Sequence, residues 1–198
     1  MNYIILIVFS ISLMGCNSLS VQYYKPESMK GLTILKDHCR GNSGITNTIK
    51  GKVLDVGYSL SISPTSRNNL EIVQLEFSLR IPEGIKVNIA RPLIKIEIDG
   101  VISEFDAESW QSWNYKDSTL KKYDVVNGLI GSNTITKDLF GKDVVVNSKY
   151  MLSTHINTNN SNKIFVFPPR LLVNKMRVVL PPLHFIKTEG FIMSPLNC

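Results

Sequence analysis

The residues best equipped for recognition lie in Trp110-Gln111-Ser112-Trp113-Asn114-Tyr115, a stretch that holds both tryptophans of the chain. Trp and Tyr present large rigid faces with one polar handle, which suits them to stack on sugars or to anchor a protein interface. Trp110, Trp113 and Tyr115 are therefore the predicted partner-binding residues, and on a helical turn the two indoles would share a face. The competing reading is that they close one end of a core. Glu104, Asp106 and Glu108 cluster just upstream. A carboxylate pair is what glycoside hydrolysis requires, although acids on an exposed turn are usually only solvated.

No other grouping points to catalysis. Gly41-Asn42-Ser43-Gly44 carries part of the GDSGG pattern of serine proteases but lacks its Asp and second Gly, and His38 stands only five residues before Ser43. Gly57-Tyr58-Ser59-Leu60-Ser61 misses the final Gly of a nucleophile elbow. The chain has no HExxH, P-loop or GxGxxG motif. His38, His155 and His184 are scattered and read as structural. Cys39 has only His38 beside it, without the CxxC or HxxxH spacing of a metal site. The expectation is a non-enzyme with no catalytic residue, no metal and no cofactor. The net charge of +6 is spread over Lys36/Arg40, Lys121/Lys122, Lys137/Lys142/Lys149 and Arg170/Lys175/Arg177. Nucleic-acid binding needs a concentrated basic face, so no nucleic-acid partner is expected.

The elements that would position these residues read as strands. With 22 Ile, 20 Leu and 16 Val against 2 Ala in 198 residues, the chain can build a core, and helices are disfavoured. Val73-Gln74-Leu75-Glu76-Phe77-Ser78-Leu79-Arg80-Ile81 alternates apolar and polar residues without a break. That period of two marks a strand with one buried and one wet face. Residues 85–89 repeat the pattern after Pro82-Glu83-Gly84, and residues 94–98 repeat it again before Asp99-Gly100, a two-residue hairpin turn into 101–105. Further strands are expected at 32–35, 49–56, 144–155, 163–167, 176–180 and 184–187. The predicted fold is an all-β antiparallel sandwich, with an immunoglobulin-like arrangement among the options. Residues 106–141 form its one irregular or short-helical insertion, with a helix capped by Asp117 or Ser118 and carrying Leu120, Tyr123 and Val126 on one face. Phe165-Val166-Phe167-Pro168-Pro169 is echoed by Val178-Val179-Leu180-Pro181-Pro182. Pro cannot donate to a ladder, so each pair marks a strand end, a crossover or, most simply, a blunted edge.

The beginning of the chain reads as an address. Residues 1–15 carry no charged side chain, and residues 3–14 are almost wholly apolar. As a helix that run spans about 18 Å, short of the roughly 30 Å hydrocarbon core, so it suits a signal peptide better than a permanent span. It ends in Leu13-Met14-Gly15-Cys16. Here the chain resembles bacterial lipoprotein precursors, whose lipobox places Leu, a small or aliphatic residue, Gly or Ala, and then the Cys that takes the lipid. Leu13 and Gly15 match, Met14 is a bulkier variant, and Cys16 would be lipidated. The resemblance implies cleavage before Cys16 and stable attachment to a membrane through several acyl chains. Because Asn17 is not the Asp that often retains such proteins at the inner membrane, it also implies an outer-membrane address facing the periplasm.

The predicted organisation is a signal peptide at 1–15, a lipidated N-terminus and tether at 16–30, and a sandwich domain at 31–198. Outside the cytoplasm thiols tend to oxidise, so a Cys39–Cys198 disulfide is expected, with a free pair or an intermolecular link as the alternatives. Three functions fit. The first is a non-catalytic module that holds a protein partner at the membrane, such as a toxin-immunity lipoprotein or a secretion or assembly component. The second is a binder of carbohydrate or envelope polymer that uses the Trp patch, and the third is a hydrolase with a noncontiguous site.

Overall fold

A computed structural model of the chain describes residues 19–35, 45–66, 69–106, 109–114, 119–124 and 127–192. Among these every regular element is a strand. The first eight are β1 (Leu19–Pro26), β2 (Thr33–Leu35), β3 (Thr48–Val53), β4 (Val56–Ser66), β5 (Asn69–Ile81), β6 (Lys86–Arg91), β7 (Leu93–Ile98) and β8 (Val101–Asp106). They are followed by β9 (Ser109–Asn114), β10 (Thr119–Asp124), β11 (Leu129–Ile130), β12 (Asn133–Lys137), β13 (Asp143–Asn157), β14 (Lys163–Phe167), β15 (Arg170–Val173), β16 (Met176–Val178) and β17 (Leu183–Ile192). All their pairings are antiparallel. The fold is an all-β sandwich of antiparallel sheets, as the alternation and composition predict.

The large sheet runs β10-β9-β13-β5-β4-β3-β2, with β12 paired to β13. Against it lie a five-stranded sheet, β1-β17-β14-β7-β8, and a four-stranded one, β11-β6-β15-β16. One buried cluster draws on all three sheets: Leu60 and Phe77 from the large sheet, Ile94 and Phe185 from the second, and Val87 and Leu171 from the third. Each such side chain contributes roughly 1.5–3 kcal/mol on leaving water. The alternation of β5 sends Leu75, Phe77, Leu79 and Ile81 inward and leaves Gln74, Glu76 and Arg80 on the outer face. A slip of one residue would exchange those sets, which locks the register with β4. Asp99-Gly100 forms the expected two-residue turn, with φ of 50° and 79° joining Ile98 to Val101.

The proline pairs divide one layer into two sheets. Val166 pairs with Leu183, and Leu171 with Val178. Both pairs share one register, which carried across the gap sets Pro168 opposite Pro181. The pairing of Arg91 with Arg170 likewise sets Pro92 opposite Pro169. Neither member of such a pair can donate to the ladder, so hydrogen bonding lapses at the same level on three neighbouring strands. There β6 passes into β7, β14 into β15, and β16 into β17, each exchanging one sheet for the other. The expectation of a blunted edge is thus corrected. The prolines mark a crossover inside the layer, with β14 and β15 central in their sheets.

Two further expectations are corrected. Most of the stretch read as a tether at 16–30 is strand β1, paired with β17 along its whole length. Val21 and Tyr23 bury one face beside Ile45, while Tyr24 enters the main core and donates its hydroxyl to the Ser161 carbonyl at 2.7 Å. Burial lifts the Tyr24 hydroxyl above its usual pKa. The helix expected within 106–141 is absent among the described residues. Thr119–Asp124 instead forms β10, zipped to β9 with Trp110 opposite Tyr123. The ladder to β9 supplies backbone partners that an isolated short helix would lack. Residues 1–15, Cys16, Cys39 and Cys198, the expected caps at Asp117 and Ser118, and Val126 lie outside the described residues.

Candidate functional site

Of the residues singled out for recognition, Trp110 is the one whose side chain the structure describes, and it does not reach the surface. Trp110 sits on β9 with no exposure and meets Phe77 edge-on, ring centroids 5.6 Å apart at 69°. Its reading as a partner-binding residue is corrected: the indole closes the core. Trp113 lies in β9 opposite Leu120, and Tyr115 lies outside the described residues.

The candidate catalytic groups among the described residues are dispersed or engaged. Glu104, on the exposed β8, meets Lys95 Nζ at 2.5 Å and Arg91 at 3.6 Å. The hydrogen bond from Lys95, with the charges of Lys95 and Arg91, holds its carboxyl below the usual value. Glu108, His38 and Ser43 lie outside the described residues. Ser59 stands in mid-strand on β4, and its hydroxyl shares a 2.7 Å hydrogen bond with Ser78 rather than with a base. His155 lies on β13 in the large sheet, while His184 lies on β17, 3.4 Å from Glu27 and edge-on to Phe165. Among the described residues no group of three or more His, Cys, Asp or Glu could hold a metal.

What the structure does present is a projecting hairpin. Ser148–Asn157 of β13 pairs with β5, whereas Asp143–Asn147 pairs with β12 alone among the described residues. Five pairs at roughly 3.3 Å per residue give an arm of about 16 Å. At its tip Leu139 is fully exposed and Phe140 87% exposed, and behind them Ile135 and Val145 face each other across the ribbon, 70% and 61% exposed. Scattered single apolar residues are ordinary on a surface; a contiguous set on one narrow element is not.

Local chemistry holds the tip in shape. The Asp138 carboxylate accepts the amides of Phe140 and Lys142, both at 2.9 Å, and the Asp138 carbonyl accepts the Gly141 amide at 3.1 Å. Gly141 adopts φ of 77°, the left-handed conformation that closes this loop and that glycine adopts without strain. Lys137 bridges to Asp143 at 3.1 Å just behind. The base is tied down as well. Ser132 and Ser148 share hydroxyl contacts at 2.8 Å, Asn133 donates to Glu83 at 3.1 Å, and Gly131 packs on the Pro82 carbonyl so closely that a methyl there would overlap it. The amides of Asp138, Phe140, Gly141 and Lys142 are met within the turn, and covering the Leu139 and Phe140 side chains would gain roughly 1.5–3 kcal/mol each.

No protein-family model, curated protein or solved structure matches the chain. The site therefore rests on its own geometry. The sequence marks 144–155 as a strand but does not separate the part that pairs with β5 from the projecting arm. The only local signal for the arm was Leu139-Phe140 set between Asp138 and Gly141, a turn carrying large apolar residues where polar ones are the rule.

Proposed function

We propose that this chain is a lipid-anchored, non-catalytic envelope protein that grips a protein partner with the β12–β13 arm. The exposed Leu139 and Phe140, on a turn held in shape by the Asp138 carboxylate, carry the reading. Lys137, Asp138, Lys142 and Asp143 around the tip sum to no net charge. That balance suits an apolar pocket with a mixed polar rim better than an anionic bilayer, which draws net positive segments. A toxin-immunity lipoprotein and a secretion or assembly component are the two concrete roles of this kind. With Trp110 in the core, the carbohydrate reading loses its leading residue.

In this proposal Cys16 takes the lipid and holds the domain at the outer membrane, facing the periplasm. Because β1 begins at Leu19, three residue steps, about 10 Å, separate the anchor from the first strand. The body would then rest at the bilayer surface instead of swinging on a long tether. A Cys39–Cys198 bridge belongs to the same proposal and predicts no free thiol in the unreduced protein.

The deciding experiment places a photo-crosslinking amino acid at position 140 in the full chain and illuminates intact envelopes. A discrete adduct is expected, and it should disappear when Leu139→Ser is added without any change in melting temperature. A crosslink only to lipid, or none, would overturn the partner reading. Fatty-acid labelling that persists in Cys16→Ser would overturn the anchor.

A further inference from the structure

On the outer face of the large sheet, two neighbouring cross-strand rows gather positive charge around a gap. One row runs Lys52, Gly57, Arg80, Lys149; the next runs Lys50, Ser59, Ser78, Met151. Tyr58, Leu60, Phe77 and Leu79 alternate with them and fill the core behind. Where Gly57 stands, the first row has no side chain, and Ser59 and Ser78 supply only short hydroxyls beside it. The result is a cleft of ≈ 180 Å³ lined by Lys50, Gly57, Ser59, Ser78 and Arg80 among others.

The charges there do not balance. Lys52 is paired with Asp55 at 2.9 Å, and Lys149 with Glu76 at 3.3 Å. Lys50 and Arg80 have no carboxylate partner among the described residues. Four cations against two carboxylates leave a local excess of two positive charges. Arg80 also stands directly opposite Lys149, a like-charge cross-strand pair of the kind that destabilises a sheet. Partial burial, then the charges of Arg80 and Lys149, push the Lys50 ammonium below its usual pKa. An anion in the gap would relieve all three effects at once.

We propose that this cleft binds a phosphate monoester, held by the Arg80 guanidinium and the Lys50 ammonium with the Ser59 and Ser78 hydroxyls beside it. A monoester carries about −1.5 to −2 charges at neutral pH, which matches the excess of two. Guanidinium suits its oxygens through paired N–H donors, and lysine adds a mobile point charge. The volume admits the phosphate and the first atoms of whatever bears it. The carrier is either a soluble metabolite or a lipid headgroup, and the chemistry recognised is the same.

The test uses the full chain in a neutral detergent. Glycerol 3-phosphate is titrated in one arm, and phosphatidic acid doped into the micelles in the other. Amide shifts at Gly57 and Ser59 provide the readout. Saturable shifts at these two amides are expected in at least one arm, and the arm that responds identifies the source. Arg80→Gln and Lys50→Gln should each weaken binding about tenfold or more, the loss of one charged contact of roughly 1.4 kcal/mol. Lys175→Gln, on the turn between β15 and β16, should leave it unchanged. Gly57→Ala guards against a variant that merely unfolds, since the added methyl would lie 3.6 Å from Arg80 Cβ, an ordinary contact, while narrowing the cleft. It should keep the melting temperature and lose affinity. No shift at Gly57 and Ser59 in either arm, or equal losses in Lys175→Gln and Arg80→Gln, would overturn the site.

Discussion

Replacing Trp110 with Ala tests the assignment of this side chain to the core. The indole is fully enclosed, so its removal takes away roughly 200 Å² of buried surface, about 5 kcal/mol at the usual transfer coefficient. The edge-on contact with Phe77 at 5.6 Å adds about 0.5–1.5 kcal/mol. Partial collapse of β9 and β13 toward Phe77 recovers some of this, which brings the expected cost to about 3–5 kcal/mol. For a domain of this size each kcal/mol moves the melting temperature by roughly 2–4 °C, so a drop of about 6–20 °C follows. Thermal melts followed by circular dichroism read it directly. A urea midpoint that shifts without a change in slope would attribute the loss to stability rather than to a looser fold. Trp110→Phe, which keeps an aromatic ring against Phe77, should lose clearly less. A Trp110→Ala protein that melts within about 2 °C of the parent would refute the packing argument and return the indole to the surface.

Gly131→Ala should cost about 1–3 kcal/mol, because the new methyl meets the Pro82 backbone carbonyl, which cannot swing aside as a side chain would; denaturant unfolding measures it. Tyr24→Phe leaves the buried Ser161 carbonyl without its donor and should cost about 1–3 kcal/mol, and limited proteolysis of the native protein should spare residues 19–26. The Glu104 carboxyl should titrate below the ordinary glutamate range by carbon-detected NMR, and Lys95→Met should raise its midpoint. Since the folded-state pKa is depressed, the contact contributes at neutral pH and is lost as acid carries the pH down through that lowered pKa.

Much of the architecture was legible because its signals are local. The alternation over 73–81, the Asp99-Gly100 turn and the surplus of Ile and Val over Ala each specify a short segment without reference to the rest of the chain. Where the reading failed, the missing information was a partner distant in sequence. Ser, Gln and Pro around Tyr23-Tyr24 look like a tether until β17 supplies the ladder and Ser161 the acceptor. Residues 119–124 resemble a short helix until β9 offers six facing residues.

The functional surfaces divide in the same way. By itself the sequence determined that the chain folds from alternating strands and that turns fall at Pro82-Glu83-Gly84 and Asp99-Gly100. Only the tertiary structure decided which of these residues reach solvent. Val144-Val145-Val146 has the composition of a core strand, yet β5 ends at Ile81 opposite Ser148 and leaves that stretch paired, among the described residues, to β12 alone. Trp110 has the makings of an interface anchor, yet the ladder turns it onto Phe77. Lys50, Arg80 and Lys149 lie tens of residues apart, and the sequence groups none of them together. Cross-strand register makes them neighbours, because antiparallel pairing joins positions by their distance from a turn, and no local pattern records how three such pairings add up.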